Sequence, residues 1–153
     1  MNRSSFQLPV MFFVLAALLL LGAWLEARFL VVPAMDIYLH DTYYVISHNL
    51  VLFVLSLYFV ACGIVYLIYK KVARKPMSSR LGYLHFWLSL VSIAILFYAM
   101  HKIQLVVQRD ISSGQSAALP PALLGFLAFL SFLVAQIIFA MNVVWSFFRG
   151  VKA

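Results

Sequence analysis

The chain has 153 residues, of which 66% are hydrophobic and only 10% are charged, far from the roughly half apolar and one-quarter charged balance of soluble domains. This composition predicts a membrane protein and excludes an ordinary soluble enzyme. The net charge of +7 would indicate a nucleic-acid partner in a soluble protein, but here the basic residues flank apolar stretches, so we attribute them to membrane topology and anionic headgroups and expect no nucleic-acid partner.

Four long apolar stretches follow one another along the chain. A hydrocarbon core about 30 Å thick requires roughly 20 helical residues, and the four stretches are close to that length or longer. We therefore predict an all-α integral membrane protein with a single domain over 1–153. Its predicted spans lie at about 9–25, 45–69, 81–104 and 120–148. The last span begins at Pro120-Pro121, where the missing N–H groups are harmless in the first helical turn.

Basic and acidic residues collect on opposite sides of these spans. The loop between the second and third spans carries five basic residues: Lys70, Lys71, Arg74, Lys75 and Arg80. The four acids fall on the other side: Glu26, Asp36, Asp41 and Asp110. The positive-inside rule then predicts an up-down-up-down order with both termini in the cytoplasm or a mitochondrial matrix.

The histidines within or close to the predicted spans are the candidate functional residues. Placing an ionisable side chain inside a span costs a few kcal/mol, so such a residue is expected to have an interaction partner or a function. His48 and His101 lie near the outer ends of consecutive spans, and His40 and Asp41 lie in the outer loop just before His48. A single cluster of these four residues is sterically possible. Imidazole ligates heme iron, zinc and copper; in the alternative interpretation each ring only hydrogen-bonds a carbonyl, hydroxyl or headgroup. His85, at the inner end of the third span, favours that second interpretation.

Motifs of hydrolytic and nucleotide chemistry are absent from the sequence. It contains no Gly-rich phosphate loop, CxxC, HExxH or Ser-His-Asp pattern. The single cysteine, Cys62, lies within the second span and excludes an intrachain disulfide.

Two segments carry a resemblance to a known family. "MDIYLHDTYYVISH", Met35 to His48, resembles the segment that leads into the tenth helix of subunit I of heme-copper terminal oxidases, the cytochrome c and quinol oxidases. "LGYLHFWLSLVSIAILFYAMH", Leu81 to His101, is similar to the eleventh helix of that subunit. By position, the first and fourth spans then resemble its ninth and twelfth helices, although they share only apolar character with them.

The resemblance implies specific roles for residues of the first segment. His48 matches the axial ligand of the oxygen-reducing heme, and His40 with Asp41 matches a pair that helps to hold a divalent metal, magnesium, near the heme propionates. The family motif continues His-Phe-His, and its second histidine ligates the low-spin heme. This chain has His48-Asn49-Leu50 instead. Because leucine cannot coordinate iron, we expect the low-spin heme site to be lost.

Other parts of the family pattern have no counterpart in the sequence. They are the three copper-binding histidines, the cross-linked tyrosine and the other low-spin ligand, all on earlier helices, and the paired arginines before the last helix, where only Arg109 is found. We therefore expect that the chain is not a self-contained terminal oxidase.

Three functions remain open at this stage. The chain is an accessory or structural subunit, or it is a heme or metal binder in which His101 or His48 of a second copy completes the coordination by His48. As a third alternative, it is the C-terminal piece of a split oxidase, against which Leu50 counts. All three predict a bacterial plasma membrane or a mitochondrial inner membrane, and a partner that is another respiratory membrane protein or a second copy of this chain.

Overall fold

The computed structural model describes residues 4–29, 34–39, 42–71, 77–113 and 119–148. Four helices dominate this part of the chain: α1 (Ser4–Phe29), α2 (His48–Lys71), α3 (Ser79–Ser113) and α4 (Leu119–Phe148). Each contains a segment long and apolar enough to cross a bilayer: Gln7–Phe29, His48–Lys71, Ser79–Ile103 and Pro121–Phe148. The prediction of a helical membrane protein with four spans is confirmed, and Pro120-Pro121 falls in the first turn of α4 as expected.

A short β-hairpin precedes α2, in a region for which the sequence predicts an outer loop and the start of the second span. Strands β1 (Ala34–Leu39) and β2 (Thr42–Ser47) pair antiparallel, with Ala34 opposite Ser47 and Leu39 opposite Thr42. Strand β2 reads Thr-Tyr-Tyr-Val-Ile-Ser, and β-branched and aromatic residues favour extended backbone over helix. As a result, the second helix begins at His48 instead of about Val45.

The chain divides into two compact units, Met1–Arg74 and Lys75–Ala153. In the first unit α1 packs against α2. Phe12 is fully buried, and its ring centroid lies 5.3 Å from that of Tyr66 and 6.1 Å from that of Phe59. A Cβ built on Gly63 would lie 3.0 Å from the Phe13 ring and 3.3 Å from Phe12 Cβ. The two helices therefore approach closely where Gly63 leaves room.

In the second unit α3 packs against α4 through small and polar residues. The buried positions include Ser89, Ser92 and Ala99 on α3 and Ala128 and Ala135 on α4. The hydrophobic effect does not drive helix association within lipid, so membrane helices associate through close packing. Small side chains allow this close packing. Burial of these residues therefore identifies the faces on which the two helices meet.

A buried amide joins the end of α4 to the start of α3. Asn142 of α4 accepts a hydrogen bond at Oδ1 from the Ser78 backbone N–H (2.9 Å) and donates one from Nδ2 to the Ser78 carbonyl (3.1 Å). The same carbonyl accepts from the Gly82 N–H at 3.0 Å. Asn142 thus provides hydrogen-bond partners for the backbone N–H and carbonyl of Ser78, next to the start of α3. Backbone groups at a helix end lack partners within the helix and need others.

Candidate functional site

The end of α1 and the start of α2 come together in the first unit. Gly22 lies beside Leu52, whereas Phe12 lies beside Tyr66, so the two helices run antiparallel. This arrangement brings the last turn of α1 next to the first turn of α2. Glu26 belongs to that last turn, and His48 is the first residue of α2.

Glu26 and His48 are joined by a side-chain hydrogen bond at this end of the unit. The His48 Nδ1 atom lies 2.8 Å from Oε1 and 2.9 Å from Oε2 of Glu26. The side chain of His48 is 27% exposed and that of Glu26 is 19% exposed, so both are mostly buried. Since an ionised carboxylate only accepts hydrogen bonds, the paired nitrogen, Nδ1, is the one that carries the proton. In a neutral ring the lone pair then lies on Nε2.

This geometry suits an imidazole that binds a metal. Histidines that ligate metals commonly donate their other ring N–H to a carboxylate or carbonyl, which fixes the tautomer and the orientation of the ring. His48 donates its Nδ1–H to the Glu26 carboxylate in this way, and the ligating atom in such an arrangement is Nε2. The pair therefore fits one axial histidine for an iron porphyrin, the group that the resemblance implies.

The neighbouring position, Leu50, faces a different environment. Two residues along a helix correspond to about 200° of rotation, so Leu50 points away from the side that His48 occupies. Its side chain is 51% exposed and lines a groove of about 410 Å³ with Leu20, Trp24, Phe53 and other residues. The described lining residues include no imidazole, thiolate or carboxylate. Within the described residues, this side of α2 therefore offers a mostly apolar surface and no iron ligand.

The other residues predicted for the site are placed as follows. His101 lies in α3, in the second unit, and its side chain is exposed. His40 and Asp41 lie between the two strands in sequence and are outside the described residues. Among the residues that the structure describes, no three or more His, Cys, Asp and Glu side chains come close enough to hold a metal ion. A joint site of His48 and His101, and a metal at His40 and Asp41, stay predictions.

His85 differs from a histidine at a headgroup boundary. It is fully buried between α3 and α4, and its ring stacks on Phe139 with centroids 4.8 Å apart and planes at 24°. His85 thus contributes to the packing of the second unit.

Glu26 is the residue of the site that the sequence prediction missed. In the sequence it stands out only as one of the four acids on the side opposite the basic loop. A signal was present nonetheless, because Glu26 follows the predicted first span and His48 lies near the start of the predicted second span, so both fall on the same predicted side of the membrane. Equal depth on neighbouring helices is a sufficient reason to test an acid and a histidine as a pair.

Comparisons with known proteins find relatives for most of the chain. Residues 1–117 match the family described as cytochrome C and quinol oxidase polypeptide I. The alternative cytochrome c oxidase subunit 1 of Bradyrhizobium diazoefficiens is 29% identical over 149 residues, which cover 93% of this chain and 25% of that protein. The cytochrome c oxidase subunit 1 of a Synechocystis species is 33% identical over 120 residues, covering 77% of this chain and 22% of that protein.

A third relative, the cytochrome c oxidase subunit 1 of Yarrowia lipolytica, is 36% identical over 69 residues, covering 44% of this chain and 13% of that protein. The chain spans about a quarter or less of the length of these curated relatives. No solved structure matches the chain significantly.

Proposed function

Because the chain belongs to the family of cytochrome c and quinol oxidase polypeptide I, we propose that it binds one heme, with His48 as an axial ligand, in a respiratory membrane complex. Family membership and four apolar helices identify an integral membrane protein related to oxidase subunit I. A bacterial plasma membrane or a mitochondrial inner membrane is consistent with both findings.

The observation that carries this proposal is the hydrogen bond from His48 to Glu26. An imidazole whose Nδ1 lies 2.8 Å from a carboxylate has its tautomer and ring orientation fixed for coordination through Nε2. Heme, when bound, supplies one-electron chemistry at its iron. The chain contributes the axial nitrogen, the carboxylate that orients it, and the apolar helices beside it.

Two residues are alternatives for the second axial ligand of the heme. His101 supplies it from the same chain, or His48 of a second copy does. His101 is exposed on α3. The proposed partner is accordingly another membrane protein of a respiratory complex or a second copy of this chain. A magnesium ion at His40 and Asp41 remains a separate proposal.

An accessory subunit without heme is the alternative, and Leu50 favours it. This residue occupies the position of the low-spin heme ligand and lines an apolar groove with Trp24 and Phe53. A chain that keeps the oxidase scaffold for packing alone has no need of a ligand there. The same substitution counts against the third alternative, the C-terminal piece of a split oxidase, because such an enzyme needs both ligands of α2.

The absorption spectrum of the detergent-extracted protein, with metal analysis of the same sample, tests the proposal. A Soret band with iron in amounts comparable to the protein supports heme binding. A colourless protein without iron contradicts it. Co-purification of the colourless protein with an intact oxidase supports the accessory subunit, and co-purification with a subunit that carries the remaining helices supports the split oxidase.

A further inference from the structure

We propose that Glu26 is the positioning residue for His48, and that its carboxylate makes the imidazole a stronger electron donor, which stabilises ferric over ferrous heme. The redox part of this inference rests on the proposed function. The orientation of His48 by Glu26 does not, because it concerns the ring before any heme is bound.

The hydrogen bond from His48 involves both oxygens of the Glu26 carboxylate. Both oxygens of Glu26 lie within 2.9 Å of Nδ1, so the N–H bond is directed between them. Only 19% of the Glu26 side chain and 27% of the His48 side chain are exposed. A charged hydrogen bond that is partly withdrawn from water is screened less than one at a fully solvated surface.

The carboxylate is held in place by a helix, not by a loop. Glu26 lies in the last turn of α1, and the preceding turn carries Ala23, which is buried. Groups built on packed helices are placed more accurately than groups on loops. His48 is likewise fixed at its backbone, as the first residue of α2.

The position of Glu26 on its own helix is electrostatically unfavourable. The C-terminal end of a helix carries partial negative charge, and an acid in its last turn is disfavoured. Glu26 is the acid in the last turn of α1, where Arg28 is the kind of residue that stabilises a helix end. Local conflicts of this kind are expected where function compensates for them. The interaction with His48 supplies the compensation here.

The effect on iron follows from the hydrogen bond. A carboxylate that accepts from Nδ1–H draws the proton toward itself and increases the electron density on the ring, which makes Nε2 a more basic ligand. A more basic axial ligand stabilises the higher oxidation state. Neutralising Glu26 therefore raises the proportion of ferrous heme at a given ambient potential.

The first experiment needs no heme. The protein is labelled with ¹⁵N-histidine, and the ring nitrogens of His48 are observed in detergent for the native chain, Glu26→Gln and Glu26→Ala. We expect a proton fixed on Nδ1 in the native protein, retention of that tautomer in Glu26→Gln, whose amide oxygen still accepts, and a mixture of tautomers in Glu26→Ala. An unchanged tautomer in Glu26→Ala would overturn the positioning role.

The second experiment measures the reduction potential of the heme-loaded protein. We expect Glu26→Gln to raise the ratio of ferrous to ferric heme at fixed potential at least tenfold, which is 59 mV for one electron, and Glu26→Asp to restore most of the native value. Arg28→Gln is the matched control, since it removes a charge from an exposed side chain on the same helical turn. It should shift the potential less and in the opposite direction.

The outcomes separate the two proposals. Equal potentials in native protein and Glu26→Gln, with heme bound in both, would limit Glu26 to a structural tie between α1 and α2 and overturn the redox part. Failure of the native chain to take up heme would instead overturn the proposed function together with the redox part, while the nitrogen spectra would still decide whether Glu26 orients His48.

Discussion

Glu26 in the last turn of α1 and His48 at the first position of α2 are joined by a hydrogen bond, with Nδ1 2.8 Å from one carboxylate oxygen and 2.9 Å from the other. The bond ties together the two helices of the first unit at the end where the oxidase-like segment enters α2. Histidines that ligate metals are commonly oriented by a hydrogen bond of this kind, and this is the basis of the proposed coordination by His48.

The close approach of α1 and α2 at Gly63 predicts that a larger side chain there destabilises the first unit. Gly63→Ala places a methyl group 3.0 Å from the Phe13 ring and 3.3 Å from Phe12 Cβ, and overpacking of this kind costs about 1–3 kcal/mol. We expect a lower free energy of unfolding in detergent. Gly22→Ala is the matched control, because its nearest neighbour is Leu52 at 3.9 Å; it should be neutral or slightly stabilising. Equal effects of the two changes would contradict the helix packing described above.

Asn142 predicts a loss of stability in the second unit. Asn142→Leu removes both hydrogen bonds to the Ser78 backbone, and each bond contributes about 0.5–1.5 kcal/mol. We expect the free energy of unfolding to fall by about 1–3 kcal/mol. Ser92→Ala serves as control, since the Ser92 hydroxyl donates only to Leu88 of its own helix, at 2.6 Å. A smaller effect for Asn142→Leu than for Ser92→Ala would count against the interhelical role of the amide.

For Ser89 we expect a substitution to change the free energy of unfolding in the opposite direction. Its hydroxyl is fully buried in α3 and has no hydrogen-bond partner in the part of the chain that the structure describes. A buried polar group without a partner costs about 1–3 kcal/mol, so Ser89→Ala should leave the free energy of unfolding unchanged or raise it. Chemical unfolding of the two proteins in the same detergent checks this. A loss above about 1 kcal/mol would indicate a bound water or another partner at Ser89.

The number and character of the helices could be predicted from the sequence, because about 20 consecutive apolar residues leave a chain few alternatives in a bilayer. The start of α2 could not, since Val45 and Ile46 are as apolar as the residues of the helix that follows, and hydropathy does not distinguish a strand from a helix. The hairpin takes the segment up to Ser47 and leaves His48 as the first helical residue.

The candidate site was predicted in part. The oxidase-like motif singled out His48 and Leu50, and the family match confirms the resemblance. Glu26 was missed, because Glu26 lies outside both matching motifs and a hydrogen bond between residues 22 positions apart depends on how two helices pack. The burial of His85 against Phe139 was missed for the same reason: which face of α3 meets α4 is decided by packing of both helices.

Heme content of single-site variants tests the central claim most directly. The native chain, His48→Ala, His101→Ala and Leu50→Ala are purified in the same detergent, and heme and protein are quantified in each. We predict that His48→Ala abolishes the Soret band and that Leu50→Ala, on another side of α2, leaves it unchanged. Loss of the band in His101→Ala would identify His101 as the second ligand, and its retention would favour His48 of a second copy. An undiminished Soret band in His48→Ala would contradict the account.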